Sequence, residues 1–235
     1  MTSDRVQGRR LLLEALVVIA SILIAFALDA WWDQRASQRT EAAHLRALQS
    51  DFEQNVSRLE QAIKREERIA EASRSLLLLA NRPDASFSGD SVSNLLGQVF
   101  NSGRFDPVMG AYEAVVSSGG LAQVRDDSLR LALADFASYL EGRYFERYSD
   151  ELYFDFVQSF TGQLGMSEFV LATDSSTATR LATASQRPSA LLRNPKFREH
   201  LALRYLAERD VAGSYRGLLE KAKRVLELIR GALAG

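Results

Sequence analysis

Cysteine is absent from the 235 residues, so the chain has no disulfide framework, no thiolate metal site and no thiol nucleophile. Histidine is nearly absent: only His44 and His200 occur, which excludes histidine-rich metal centres. Proline occurs four times, and between Arg9 and Arg82 there is neither proline nor glycine, so nothing there interrupts a helix. An excess of one charge is also missing. The 29 basic and 30 acidic side chains leave a net charge of −1, which gives no broad basic field for nucleic acid. No segment shows sustained alternation of apolar and polar residues between hairpin turns, so the expected fold class is all-α.

What is present begins with an apolar run. Residues 11–32, LLLEALVVIASILIAFALDAWW, would span roughly 33 Å as a helix, about one hydrocarbon core. Glu14 and Asp29 sit near its ends, where an acid reaches the headgroup region, and Trp31 and Trp32 fall where an interfacial aromatic belt belongs. The expected organisation is a tail at 1–10, a transmembrane helix at 11–32 and a helical domain at 33–235. Two other readings share these residues. Arg9-Arg10 followed by the run and Ala25-Phe26-Ala27 has the form of a signal peptide, and an uncharged stretch from Ala15 to Leu28 also suits a buried core helix. Basic residues flank both ends nearly equally. The orientation expected is N-terminus inside, with the C-terminal domain periplasmic at a bacterial inner membrane.

Glu14, Val18, Ser21, Ala25 and Asp29 share one stripe of this helix, and Ser21 and Ala25 form a small-xxx-small pair that allows another helix to approach closely. The stripe is a candidate contact with a second copy or another membrane protein.

Beyond the run, Leu45, Leu48, Phe52, Val56, Leu59, Ile63, Ala70, Ser73 and Leu77 repeat at threes and fours, with Glu66 on the same stripe. The transmembrane helix is therefore expected to continue as a long amphipathic one ending at Asn81-Arg82-Pro83. A short helix capped by Asp90 or Ser91 should reach about Phe100, and another should start at Pro107 and stop near Ser117-Ser118-Gly119-Gly120. Asp126-Asp127-Ser128 opens a helix expected to run to Gln163 through Gly142. Residues 162–190 read as a loop or short helix, and Asn194-Pro195 starts the last helix. That last helix should bury Phe197, Leu201, Tyr205, Tyr215, Leu219, Ala222, Leu226 and Ile229. Together these elements make an antiparallel bundle of about four helices on a membrane stalk.

Three blocks carry a resemblance: ILIAFALDAWWDQR, AYEAVVSSGGLAQVRDDSLRLALADF at 111–136, and the terminal NPKFREHLALRYLAERDVAGSYRGLLEKAKRVLELI. They resemble a family of single-span bacterial membrane proteins known only as a domain of unknown function, in which an apolar membrane exit meets a tryptophan-centred polar step. Phe26-Ala27-Leu28 departs from that pattern, standing where more polar residues are the rule. The resemblance implies an anchored helical protein of the bacterial envelope and brings no catalytic residues.

Candidate chemistry is sparse. Glu41 and His44 form one acid-histidine pair of di-iron type, but a second is missing. His200 lies beside Glu199, although adjacent helix positions point about 100° apart. Ser117 to Gly120 matches no phosphate-loop or nucleophile-elbow pattern, and Asp126-Asp127 lacks the EF-hand spacing. No catalytic residue, metal site or cofactor is expected. The richest patch is aromatic, holding nine of the chain's 21 rings between Phe136 and Phe160. One helix stripe cannot hold them all, so part of the patch should face a second surface. Tyr144, Tyr148 and Tyr153, with Ser21, Ala25, Asp29, Trp31 and Trp32, are the candidate protein-interaction residues. The function expected is that of a non-enzymatic accessory or scaffolding subunit of an envelope membrane complex, with a membrane-protein partner or a second copy. A bundle that senses a small ligand between its helices is the alternative.

Overall fold

A computed structural model of the chain describes residues 3–81, 89–142, 144–164 and 187–234; side chains at 3–15, 17, 89–90, 144–145, 161, 163–164 and 187–189 fall outside the description. With no helix breaker to stop it, α1 runs from Ser3 to Ala80, roughly 115 Å at 1.5 Å per residue. The short α2 (Gly89–Val99), α3 (Gly110–Ser117), α4 (Asp127–Glu141), α5 (Tyr144–Leu164) and α6 (Arg187–Arg193) follow, and α7 (Pro195–Ala234) closes the chain. The described residues contain no strand.

From Leu45 onward α1 carries a buried seam that alternates by three and four, Leu45, Leu48, Phe52, Asn55, Leu59, Ala62, Glu66, Ile69, Ser73 and Leu76, with Ile63, Ala70 and Ala72 buried beside it. The same alternation runs through α7, at Phe197, Leu201, Arg204, Glu208, Val211, Tyr215, Leu218, Ala222, Val225 and Ile229. Two sustained heptad seams of this kind specify a coiled-coil pair. Its direction is written in the flanking ion pairs, where Glu53 meets Arg230 at 3.0 Å, Glu60 meets Lys223 at 3.6 Å and Glu67 meets Arg216. Each step of seven up α1 is a step of seven down α7, so the pair is antiparallel. The rungs are solvent-exposed and contribute little energy each. The seam supplies the stability.

The shorter helices divide this hairpin into two apolar cores. At the end nearest the N-terminal arm Leu129, Leu133 and Phe136 of α4 join the seam, with the Phe136 ring centred 4.8 Å from that of Phe52. At the far end Val92 and Leu96 of α2, Phe156 and Phe160 of α5 and Leu191 and Leu192 of α6 pack on Leu76, Phe197 and Leu201. Phe156 and Phe197 stack at 5.5 Å, and Phe160 meets Phe197 edge-on at 5.0 Å.

Two boundaries and part of the buried stripe differ from the sequence reading. One continuous helix over 126–163 is replaced by α4 and α5, because Gly142 caps α4 through its N–H to the Ser138 carbonyl, and the two halves then pack on different cores. Pro107 opens no helix. Asn55 of α1 brackets Val108, accepting from its N–H at 2.7 Å and donating to its carbonyl at 2.8 Å, which holds 101–109 as an irregular strap until α3 begins at Gly110. The seam is also displaced by a residue from parts of the expected stripe, since Asn55, Ala62, Ile69 and Leu76 occupy it while Val56 and Leu77 are only half-buried. Other signals are met as written. Asp126 accepts from the Ser128 and Leu129 N–H groups as the α4 cap, and Asn194 caps α7 through the Lys196 N–H.

Before Leu45, α1 has no part in either core. From Leu16 to Thr40 its described side chains are exposed, Ala20 being half-buried; Phe26, Leu23 and Ile24 each expose 60% or more. Among the described residues no helix is long and apolar enough to cross a membrane. The side chains of 11–15 and 17, which open the expected span, lie outside that description.

Candidate functional site

The seam carries polar side chains where coiled coils carry leucine, and three of them, Glu66, Arg204 and Glu208, gather between the two apolar cores. Glu66 of α1 and Glu208 of α7 are both buried and line the same cavity, where their carboxyl groups interact. Arg65 Nε donates to Glu66 Oε1 at 3.1 Å. Across the layer, Glu208 Oε1 accepts from Arg204 Nη1 at 2.7 Å and from Ser149 Oγ of α5 at 2.8 Å. Arg204 Nη2 donates to the Asn101 carbonyl at 2.7 Å, and the guanidinium lies 4.7 Å from the centre of the Tyr153 ring. The Tyr153 hydroxyl in turn donates to the Phe100 carbonyl at 3.0 Å.

A second role of these seam residues is to hold the strap. Its backbone polar groups must be paired wherever they are buried. Tyr215 accepts from the Phe105 N–H at 3.1 Å, Asn55 brackets Val108, Arg204 takes Asn101 and Arg58 donates to the Asp106 carbonyl at 3.0 Å. Close approach is demanded at Gly103, where a Cβ would stand 2.6 Å from Arg65 Nε. The strap is thereby stitched across the hairpin at the height of the polar layer.

Burial, reinforced by the hydrogen bond to Glu208 and its charge, pushes the Glu66 carboxyl up to about 8 against the opposing pull of Arg65. The neutral form of the Glu66 carboxyl is thus favoured by its surroundings, while Arg204 and Ser149 both donate to Glu208. Burial lowers the Arg204 guanidinium, opposed chiefly by Glu208 and Glu66. Burial likewise raises Tyr215, with Glu146 adding to it. The cavity at the layer has a volume of about 20 Å³, lined by Glu66, Arg204 and Glu208 on one side and by Ser102, Gly103 and Arg104 of the exposed strap on the other. That volume suits a single water and no organic ligand.

The residues singled out from sequence lie elsewhere. Ser21, Ala25, Asp29, Trp31 and Trp32 are all exposed on the arm, and Arg35 lies over Trp31 at 5.4 Å. Tyr148 is exposed on α5, Tyr153 is half-buried against Arg204, and the Tyr144 side chain lies outside the described residues. Glu41 does not form a metal pair with His44. It accepts from the Arg125 N–H at 2.9 Å, and the His44 ring packs so closely on Gly120 that a Cβ there would stand 2.8 Å away. Both thus fasten the 117–125 turn to α1, and Gly119 takes the positive φ of 72° that this turn requires. His200 pairs with Asp155 of α5 at 2.7 Å, not with Glu199, and its other ring nitrogen meets the Lys196 carbonyl at 2.9 Å. That contact holds the Asp155 carboxyl below its usual range. Among the described residues no group of three histidine, aspartate or glutamate side chains is placed to hold a metal.

Arg204, Glu208 and Ser149 were not anticipated as a site. The signal for the first two was present in the unbroken four-three spacing from Phe197 to Ile229, which assigns both charges to the seam. Ser149 carries no such signal.

No curated protein and no solved structure matches the chain. A family model matches residues 14–171, about two thirds of the chain, taking in Glu66, the strap and Ser149 and stopping before α7. The first two blocks noted in the sequence fall within that span and the terminal block beyond it. The chain belongs to this family of unknown function, DUF6090.

Proposed function

We propose that this protein is a membrane-anchored, non-enzymatic accessory or scaffolding subunit of a bacterial envelope complex. Residues 11–32 form its transmembrane helix, and the coiled-coil domain stands on the periplasmic side of the inner membrane. One observation carries the reading: the arm of α1 exposes Leu16, Ile19, Leu23, Phe26 and Leu28, and among the described residues nothing packs over them. Soluble proteins rarely expose contiguous apolar surface on this scale, and an apolar run of this length answers to a bilayer. Trp31 and Trp32 then lie at the interface, and Arg35 and Arg39 beyond it. The one-water cavity at the polar layer supports scaffolding over ligand sensing. Within the bilayer, Ser21, Ala25 and Asp29 form the face that meets a partner helix.

Mild-detergent extraction of tagged full-length protein from its native membrane, with mass spectrometry of whatever co-migrates, tests this. A stoichiometric membrane protein is expected. Ser21→Leu and Asp29→Leu should each reduce its recovery several-fold while leaving the helical content of the chain intact. Unchanged recovery would remove the transmembrane contact, and a chain that migrates alone would remove the accessory role.

A further inference from the structure

The Glu66–Glu208 layer has a geometry that a structural polar layer does not need. A buried asparagine or a simple ion pair is enough to fix the register of a coiled coil. Here two acids, each only 2% exposed, line one small cavity within the seam, and buried carboxyl groups that meet in this way share a hydrogen bond only while one of them carries a proton. The layer also lies between the two apolar clusters, with Leu45 to Ile63 of α1 on one side and Ala72 to Leu76 on the other.

We infer that this layer is a proton-operated latch: one proton shared by Glu66 and Glu208 holds α1 and α7 together between the two cores, and its loss parts them there. The charged groups around the pair come from every neighbouring element. From α1, Arg65 bonds Glu66; from α7, Arg204 bonds Glu208. From α5, Glu146 and Asp150 line the same cavity, and Asp150 is ion-paired with Arg104 of the strap. Arg204 and Arg104 are thus already bonded to Glu208 and Asp150, and Glu146 adds negative charge, so of these cations Arg65 alone offsets a charge at Glu66, against the burial of the carboxyl and the charge of Glu208. The strap residues Ser102 and Arg104 are exposed and line the cavity, which gives the departing proton a route to water. Because α1 continues unbroken from this layer into the N-terminal arm, parting the layer frees a lever attached to the arm.

The direction of the pH effect follows from linkage. An acid whose pKa is higher folded than unfolded binds its proton more tightly in the folded state, so its contribution is full below the ordinary carboxyl range. It is lost as pH rises towards about 8. One proton of difference changes the unfolding equilibrium by up to about ten-fold per pH unit in that window.

The test is denaturant unfolding of the full-length chain in detergent micelles from pH 5 to 9, comparing wild type with Glu66→Gln, which stays neutral and still donates to Glu208. The neighbouring exposed Glu67→Gln serves as control. The wild type and Glu67→Gln should lose stability with rising pH by about an order of magnitude per unit more than Glu66→Gln. Parallel curves for all three would overturn the latch. Should Glu66→Gln fail to fold, infrared spectroscopy of the wild type decides: the band of a protonated carboxylic acid present at pH 7 and lost by pH 9 supports the latch, and its absence at pH 7 overturns it.

Discussion

Arg204→Met is expected to destabilise the protein by about 3–5 kcal/mol, the cost typical of removing one partner from a buried ion pair. Methionine keeps most of the volume and the seam position but removes every charge and donor. Glu208 is left with Ser149 and Glu66 as its partners, the Asn101 carbonyl loses its 2.7 Å donor and the face of Tyr153 loses its cation. Two consequences separate this from ordinary loss of packing. Repulsion within the layer is no longer offset, so the deficit should grow as pH rises, and the strap should open to hydrogen exchange before either core. The comparison is Arg230→Met, which removes an equally clear ion pair to Glu53 at an exposed flank. There the loss should stay within about 1 kcal/mol. Equilibrium denaturation of the two variants side by side measures the difference, and equal losses would mean that the layer is no more than surface electrostatics.

Removing residues 1–33 is expected to abolish membrane association outright while leaving unfolding of the remaining domain close to that of the intact chain. The first half of this expectation rests on the proposed span, since a transmembrane helix inserts in an effectively irreversible way. The second half rests on packing: the first core residue is Leu45, and the turn at 117–125 is fastened to Glu41 and His44. Fractionation of cells expressing both forms reads the first half, and denaturation of the shortened chain reads the second. A shortened chain that stays in the membrane fraction would place the anchor elsewhere.

The two long helices were legible in the sequence because helix breakers are absent over 9–82 and Asn194-Pro195 marks the start of α7. The division at Gly142 was not legible. A single glycine is tolerated within a helix, and what ends α4 is the demand of two separate cores that no local pattern announces. Pro107 misled for a similar reason, because the pinning of Val108 comes from Asn55, some fifty residues away in sequence. The polar layer was half legible. Glu66 stood in an apolar stripe and was noticed there, whereas Arg204 and Glu208 were not singled out. Judged by residue type they belong outside; judged by position in the heptad they belong inside, and position decides. The apolar run of the arm was legible, and its exposure in the folded chain is what the run alone did not announce.

The most direct test of the central proposal, that the arm of α1 crosses the bilayer, exploits the absence of cysteine. Single cysteines placed one at a time from Leu16 to Arg39 in the full-length chain in native membranes are challenged with a charged, membrane-impermeant maleimide. Protection is expected from Leu16 to about Leu28 on every face of the helix, with reactivity returning beyond Trp32 and only from the periplasmic side. Reactivity at all positions, or a periodic pattern in which one face alone is protected, would contradict it.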